Sequence, residues 1–174
     1  MSLARKKRRD VTDPSAGRTP GLGNPVVNSS ELVSVGDGYY VNVKDMLEAG
    51  REMVKFIEKV NKVLNDPEIS YVVEELDFYV RALDDLLNKR FEKFNVVVEE
   101  GRVMAFHEYI PDIVLYQEFL PSEPRSGADA SRLADEVLRG RKLKGALVEK
   151  ILYAMELLLD MVTEHVKKIV GSHL

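Results

Sequence analysis

Two stretches of this 174-residue chain space their apolar residues too regularly for anything but helix. In residues 67–93, Ile69, Val73, Leu76, Val80, Leu83 and Leu87 step by 4, 3, 4, 3 and 4. Val72, Tyr79 and Leu86 repeat every seven beside them, which makes one broad packing face. Opposite it lie Glu74, Glu75, Asp77, Arg81, Asp84, Asp85, Asn88 and Lys89, a solvated face with i,i+4 pairs expected at Asp77–Arg81 and Asp85–Lys89. In residues 142–170, Leu147, Ile151, Ala154, Leu158, Met161 and His165 form one row. Val148, Leu152, Met155, Leu159, Val162, Val166 and Ile169 form the row next to it. Two adjacent rows predict a helix buried on most sides and central to the fold. His165, alone in such a row, reads as a hydrogen-bonded boundary residue.

Two shorter helices complete the set. Residues 44–65 carry Met46, Met53, Ile57, Val60 and Leu64, with Leu47, Val54 and Val63 beside them. Asp66-Pro67-Glu68 ends that helix and caps the next. Residues 128–139 use Leu133, Val137 and Leu138, started by a capping-box variant at Ser126–Asp129 and stopped by Gly140. Elsewhere the period falls to two. Leu32–Val35 and Tyr39–Val43 flank Gly36-Asp37-Gly38, and Phe94–Glu99 and Arg102–His107 flank Glu100-Gly101, so hairpins are expected near 32–43 and 94–109. Residues 112–120, between Pro111 and Pro121, read as a short helix or an extended segment. The expected fold class is mainly α, a bundle of about four helices with two small β-hairpins. The body occupies residues 28–174.

Charge divides the chain. Residues 1–27 hold Arg5, Lys6, Lys7, Arg8, Arg9 and Arg18 against Asp10 and Asp13, a net of +4, which leaves -8 on the remainder of a chain whose total is -4. This basic arm is rich in Pro and Gly and poor in apolar residues, the composition of a disordered segment. A second cationic run, Arg139-Gly140-Arg141-Lys142-Leu143-Lys144, interrupts the acidic body. Arg139 suits the negative end of a helix dipole, whereas Lys142 and Lys144 open the final helix, where the dipole opposes them. An external phosphate would resolve that conflict.

The remaining chemistry is sparse. There is no Cys, hence no thiolate and no disulfide, and three scattered His do not have zinc-ligand spacing. No Gly-x-Ser-x-Gly appears, and no apolar run is long enough to span a membrane. The basic N-terminus lacks an apolar signal segment, so a cytoplasmic location is expected, or a virion if the chain is viral. No metal or other cofactor is expected. The Cys-free, Lys/Glu/Val-rich composition suits a thermophile.

Arg102-Val103-Met104-Ala105-Phe106-His107 is similar to the motif of HEPN-type ribonucleases, an Arg followed after four residues by His. The resemblance implies a helical domain in which His107 acts on a 2'-hydroxyl and Arg102 steadies the phosphate. That family carries the motif on a helix, while this segment reads as a strand, which would point the two side chains to opposite faces. The expected function is therefore a non-enzymatic structural protein, coat- or nucleocapsid-like. It would bind nucleic acid without base readout through Arg5, Lys6, Lys7, Arg8, Arg9, Arg139, Arg141, Lys142 and Lys144, and form a homo-oligomer through its helical body. The alternatives are a small helical protein-interaction subunit and a ribonuclease using Arg102 and His107.

Overall fold

Asn42 starts the first long helix directly from a strand. Its side chain accepts the Asp45 N–H at 3.1 Å, satisfying one of the free donors of the first turn. In the computed structural model, which describes residues 5–6, 32–36 and 38–172, this helix is α1, Val43–Leu64. It ends at Asn65 in the left-handed conformation, and Asp66 then caps α2, Pro67–Leu87. Asn61 staples the turn: its amide bonds the Asp66 carbonyl and the Ser70 hydroxyl, and its oxygen accepts the Asp66 N–H. After the strands of the middle region come α3, Gly127–Arg139, and α4, Lys142–Gly171. The mainly helical fold expected from the apolar spacing is the one found, with four α-helices among the described residues.

The core lies where α1, α2 and the first half of α4 meet. Ile57, Ile69, Leu76, Leu83, Leu147, Ile151 and Leu158 are fully buried there. Gly50 marks the closest approach, since a Cβ on it would stand 2.6 Å from Val80 Cγ2 and 3.4 Å from Ile151 Cγ2. Helix α2 is buried more widely than its main row implies, with Phe78 and Ala82 also inside.

Two small antiparallel sheets sit on this core. The first has the order β1-β3-β2, with β1 Arg5–Lys6, β2 Leu32–Ser34 and β3 Tyr39–Asn42. Val33 and Val41 pair across it and bury their side chains. The second has the order β4-β5-β6, with β4 Phe94–Glu99, β5 Arg102–His107 and β6 Tyr116–Phe119. Glu100 and Gly101 both have positive φ, as a two-residue hairpin turn requires.

Four expectations need correction. Helix α2 stops at Leu87 rather than 93, because Lys89 turns left-handed and Phe91–Lys93 forms a separate 3-10 turn. The Asp85–Lys89 pair accordingly gives way to Asp85–Arg90 at 2.9 Å, while Asp77–Arg81 forms at 2.8 Å. The segment around 112–120 takes the extended of its two expected forms and supplies β6, a third strand beside the expected hairpin. Finally, α4 is central only to Leu158, and Val63 of α1, placed in a packing row, is 83% exposed. Beyond Leu158 the cover of α4 thins to partial burial at Met161, Val162 and His165, the last held by Asp66 of the α1–α2 turn. The arm's expected disorder concerns residues that lie outside the described ones, apart from Arg5–Lys6.

Candidate nucleic-acid interface

The body's cationic run sits where α3 hands over to α4. The Gly140 N–H donates to the Glu136 carbonyl at 3.0 Å, and a Cβ on Gly140 would lie 2.6 Å from that same oxygen. Only glycine allows so close an approach. Arg141 occupies the N-cap of α4, makes no capping bond with its side chain, and is followed by a first turn without an acid. Leu143, fully buried, fixes the start of the helix to the core and leaves Arg141 and Lys142 exposed around it. The positive end of the α4 dipole therefore faces solvent with no covering carboxylate from its own first turn.

That helix start borders a groove of about 760 Å³, walled by β2, Tyr40 of β3, and the residues leading into β6 through Tyr116. Arg141, Lys142 and Lys150 line its other side, with Glu149. Basic side chains interleaved with aromatic rings are the elements of a single-strand binding surface. The backbone of Arg5–Lys6 pairs with Tyr40 and Tyr39, so the described part of the arm lies one strand from the groove. The side chains of Arg5 and Lys6, and all of Lys7, Arg8 and Arg9, lie outside the described residues.

The cations of the run differ in their engagement. Lys142 Nζ donates to Glu118 Oε1 of β6 at 2.9 Å, and the Tyr116 hydroxyl donates to the same oxygen at 2.6 Å. The Tyr116 hydrogen bond, and after it Lys142, holds the Glu118 carboxyl below the usual carboxylate range. Burial, reinforced by Glu118, pushes the Tyr116 hydroxyl up. The dipole penalty on Lys142 is thus met inside the chain. Arg139 reaches Asp135 at 3.4 Å and lies over the Phe91 ring at 4.6 Å. Lys144, half-buried, is also engaged. Arg141 is the cation of the run whose side chain has no hydrogen bond, ion pair or ring contact among the described residues.

Arg102 and His107 are not brought together. Both lie on β5, where Arg102 pairs with Glu99 and Phe119 and His107 pairs with Phe94. Their odd offset along a strand sends the side chains to opposite faces. Arg102 donates to Gln117 at 2.9 Å, and its Nε is buried without a partner among the described residues. His107 is buried between Phe78 and Phe94, edge-on to each, at 5.8 and 4.9 Å between ring centres. Its Nδ1 accepts the Tyr109 N–H at 3.0 Å, which leaves Nε2 to donate to Asp85 at 2.8 Å. Neither ring nitrogen is left to accept a proton from a ribose hydroxyl.

His107 and Asp85 border a second cleft of about 640 Å³, together with Arg51, Asp84, Lys93 and Glu108. Its charges answer one another: Arg51 meets Asp84 at 2.9 Å, Arg90 meets Asp85, and Lys93 meets Glu108 at 3.2 Å. The acidic end of α2, read as a solvated face, is in fact tied to cations from α1 and the β4 approach. The Glu118 contacts and the Asp85–His107 pair are not legible in the sequence. Both depend on strand register, and no local pattern announces either.

Comparison with known proteins finds no matching family model, no curated relative and no matching solved structure. Among the described residues, no helix is long and apolar enough to cross a membrane.

Proposed function

We propose that this chain is a non-enzymatic structural protein that binds or packages nucleic acid through phosphate contacts and self-associates through its helical body, in the manner of coat and nucleocapsid proteins, in the cytoplasm or in a virion. The observation that carries the reading is Arg141. Its side chain stands without a partner among the described residues, at a helix start with no side-chain cap, on a groove also lined by Tyr40 and Tyr116. The backbone pairing of Arg5–Lys6 with Tyr39–Tyr40 brings the described part of the basic arm beside Tyr40 of that groove. Phosphates seated there would meet cations and helix N–H groups together, a sequence-independent attraction.

Binding to single-stranded and duplex oligonucleotides across a salt series tests this. Removing residues 2–9 should flatten the salt slope by up to about five units, and Arg141→Ala by about one, with the helical body still folded in both. A truncated chain that binds as tightly as wild type at every salt concentration would end the proposal. Binding of neither oligonucleotide by wild type would transfer the arm to a protein partner. Cleavage of single-stranded RNA that His107→Ala abolishes, with the fold intact, would move the chain to the ribonuclease class.

A further inference from the structure

Helix α4 runs for 30 residues, about 45 Å, against 22 for α1 and 21 for α2. Its inner row is buried as far as Leu158; beyond it Met161 and Val162 are half-buried against the core, and the other apolar residues come to the surface. Leu159 is 41% exposed, Val166 49%, Ile169 50% and Val170 53%, while Val162 is half-buried. Leu152, Met155, Leu159, Val162, Val166 and Ile169 step by 3, 4, 3, 4 and 3. Alternating steps of 3 and 4 are the pattern of a coiled-coil seam, which suits another helix of the same spacing.

The charges along this stretch name the other helix. Glu156, Asp160 and Glu164 come first, and Lys167 and Lys168 follow. Lys167 reaches Glu164 at 3.6 Å, while Glu156, Asp160 and Lys168 make no ion pair among the described residues. Two such ends laid parallel would set base beside base and acid beside acid. Laid antiparallel, each basic end lies level with the acidic stretch of the other copy, and the helix dipoles also oppose. The same surface then serves both chains, and the contact closes as a two-fold pair with nothing left over. A body at each outer end of the overlap avoids collision.

We propose that the exposed end of α4 docks a second copy of this chain in an antiparallel two-helix seam, with Val162 opposite Val166 and Leu159 opposite Ile169. This rests on the self-association in the proposed function and gives it a surface, while the nucleic-acid part is measured separately. Sedimentation of the full chain over a concentration series, with and without Val166→Asp plus Ile169→Asp, is the first test. Wild type should dimerise. At concentrations where wild type is monomeric the double variant should melt with it, because both sites are exposed in the single chain, and its dimer dissociation constant should rise at least about tenfold. A variant that dimerises as well as wild type overturns the seam and leaves self-association standing. A wild type that stays monomeric at all concentrations overturns both, whatever the oligonucleotide result. Because the chain has no Cys, single cysteines report the register directly. A mixture of Val162→Cys and Val166→Cys chains should oxidise to the mixed disulfide. Rapid cross-linking of Val166→Cys to itself, with little mixed product, overturns the antiparallel arrangement.

Discussion

His107 carries two bonds, one from each ring nitrogen, inside an aromatic clamp. A residue so held reads as a brace between β5 and the end of α2. Removing its nitrogens while keeping a flat ring isolates that role. His107→Phe leaves the Asp85 oxygen and the Tyr109 N–H without their partner, and should cost about 1–3 kcal/mol in urea unfolding. Unfolding at the wild-type midpoint would show that the pair is incidental. The bond was not legible in the sequence, since Asp85 and His107 stand 22 residues apart and meet only because β5 returns along α2. Only the strand, and with it the separation of Arg102 from His107, was legible, because alternation and the Glu-Gly turn are local signals.

At the scale of elements, glycines separate local propensity from packing. Gly50 and Gly145 both lie within helices, and alanine favours a helix over glycine by about 1 kcal/mol at either site. At Gly145 the new Cβ meets open space, so Gly145→Ala should raise stability by up to that amount. At Gly50 it meets Val80 and Ile151, both buried, and overpacking of about 1–3 kcal/mol outweighs the gain. Thermal melting of the two variants should therefore shift in opposite directions. A stabilised Gly50→Ala chain would mean that α1 can move away from α2 and α4 at little cost. The helices themselves were readable because a 3.6-residue period and a capping residue are properties of consecutive residues. The extents of α2 and of the buried part of α4 were not, because they depend on where neighbouring elements end.

Across the whole molecule, the α1–α2 turn is tied to the far part of α4 by Asp66 and His165, 2.6 Å apart and 99 residues distant in sequence. The His165 hydrogen bond, and after it the Glu68 N–H, lowers the Asp66 carboxyl below its ordinary value of 3.8. A depressed carboxylate contributes stability above its unfolded value, and that contribution is lost as pH falls through the folded one. Asp66→Asn keeps a good capping residue and removes the charge. The wild-type advantage over this variant should shrink as pH falls below about 4 in melting experiments. An advantage that does not change with pH would assign the contact to capping alone. The same distinction runs through the molecule. Apolar spacing, caps and turn residues determined by themselves that the chain is mainly helical, where its helices begin, and that two hairpins interrupt them, because each is settled within a few residues. Tertiary structure alone decided which charges are spent internally. Lys142 found Glu118 across 24 residues, the Arg141 side chain found nothing among the described residues, and the second row of α4 lost most of its cover after Leu158. A side chain's partner and its exposure are set by what folds against it, and that depends on the whole chain rather than on its neighbours in sequence.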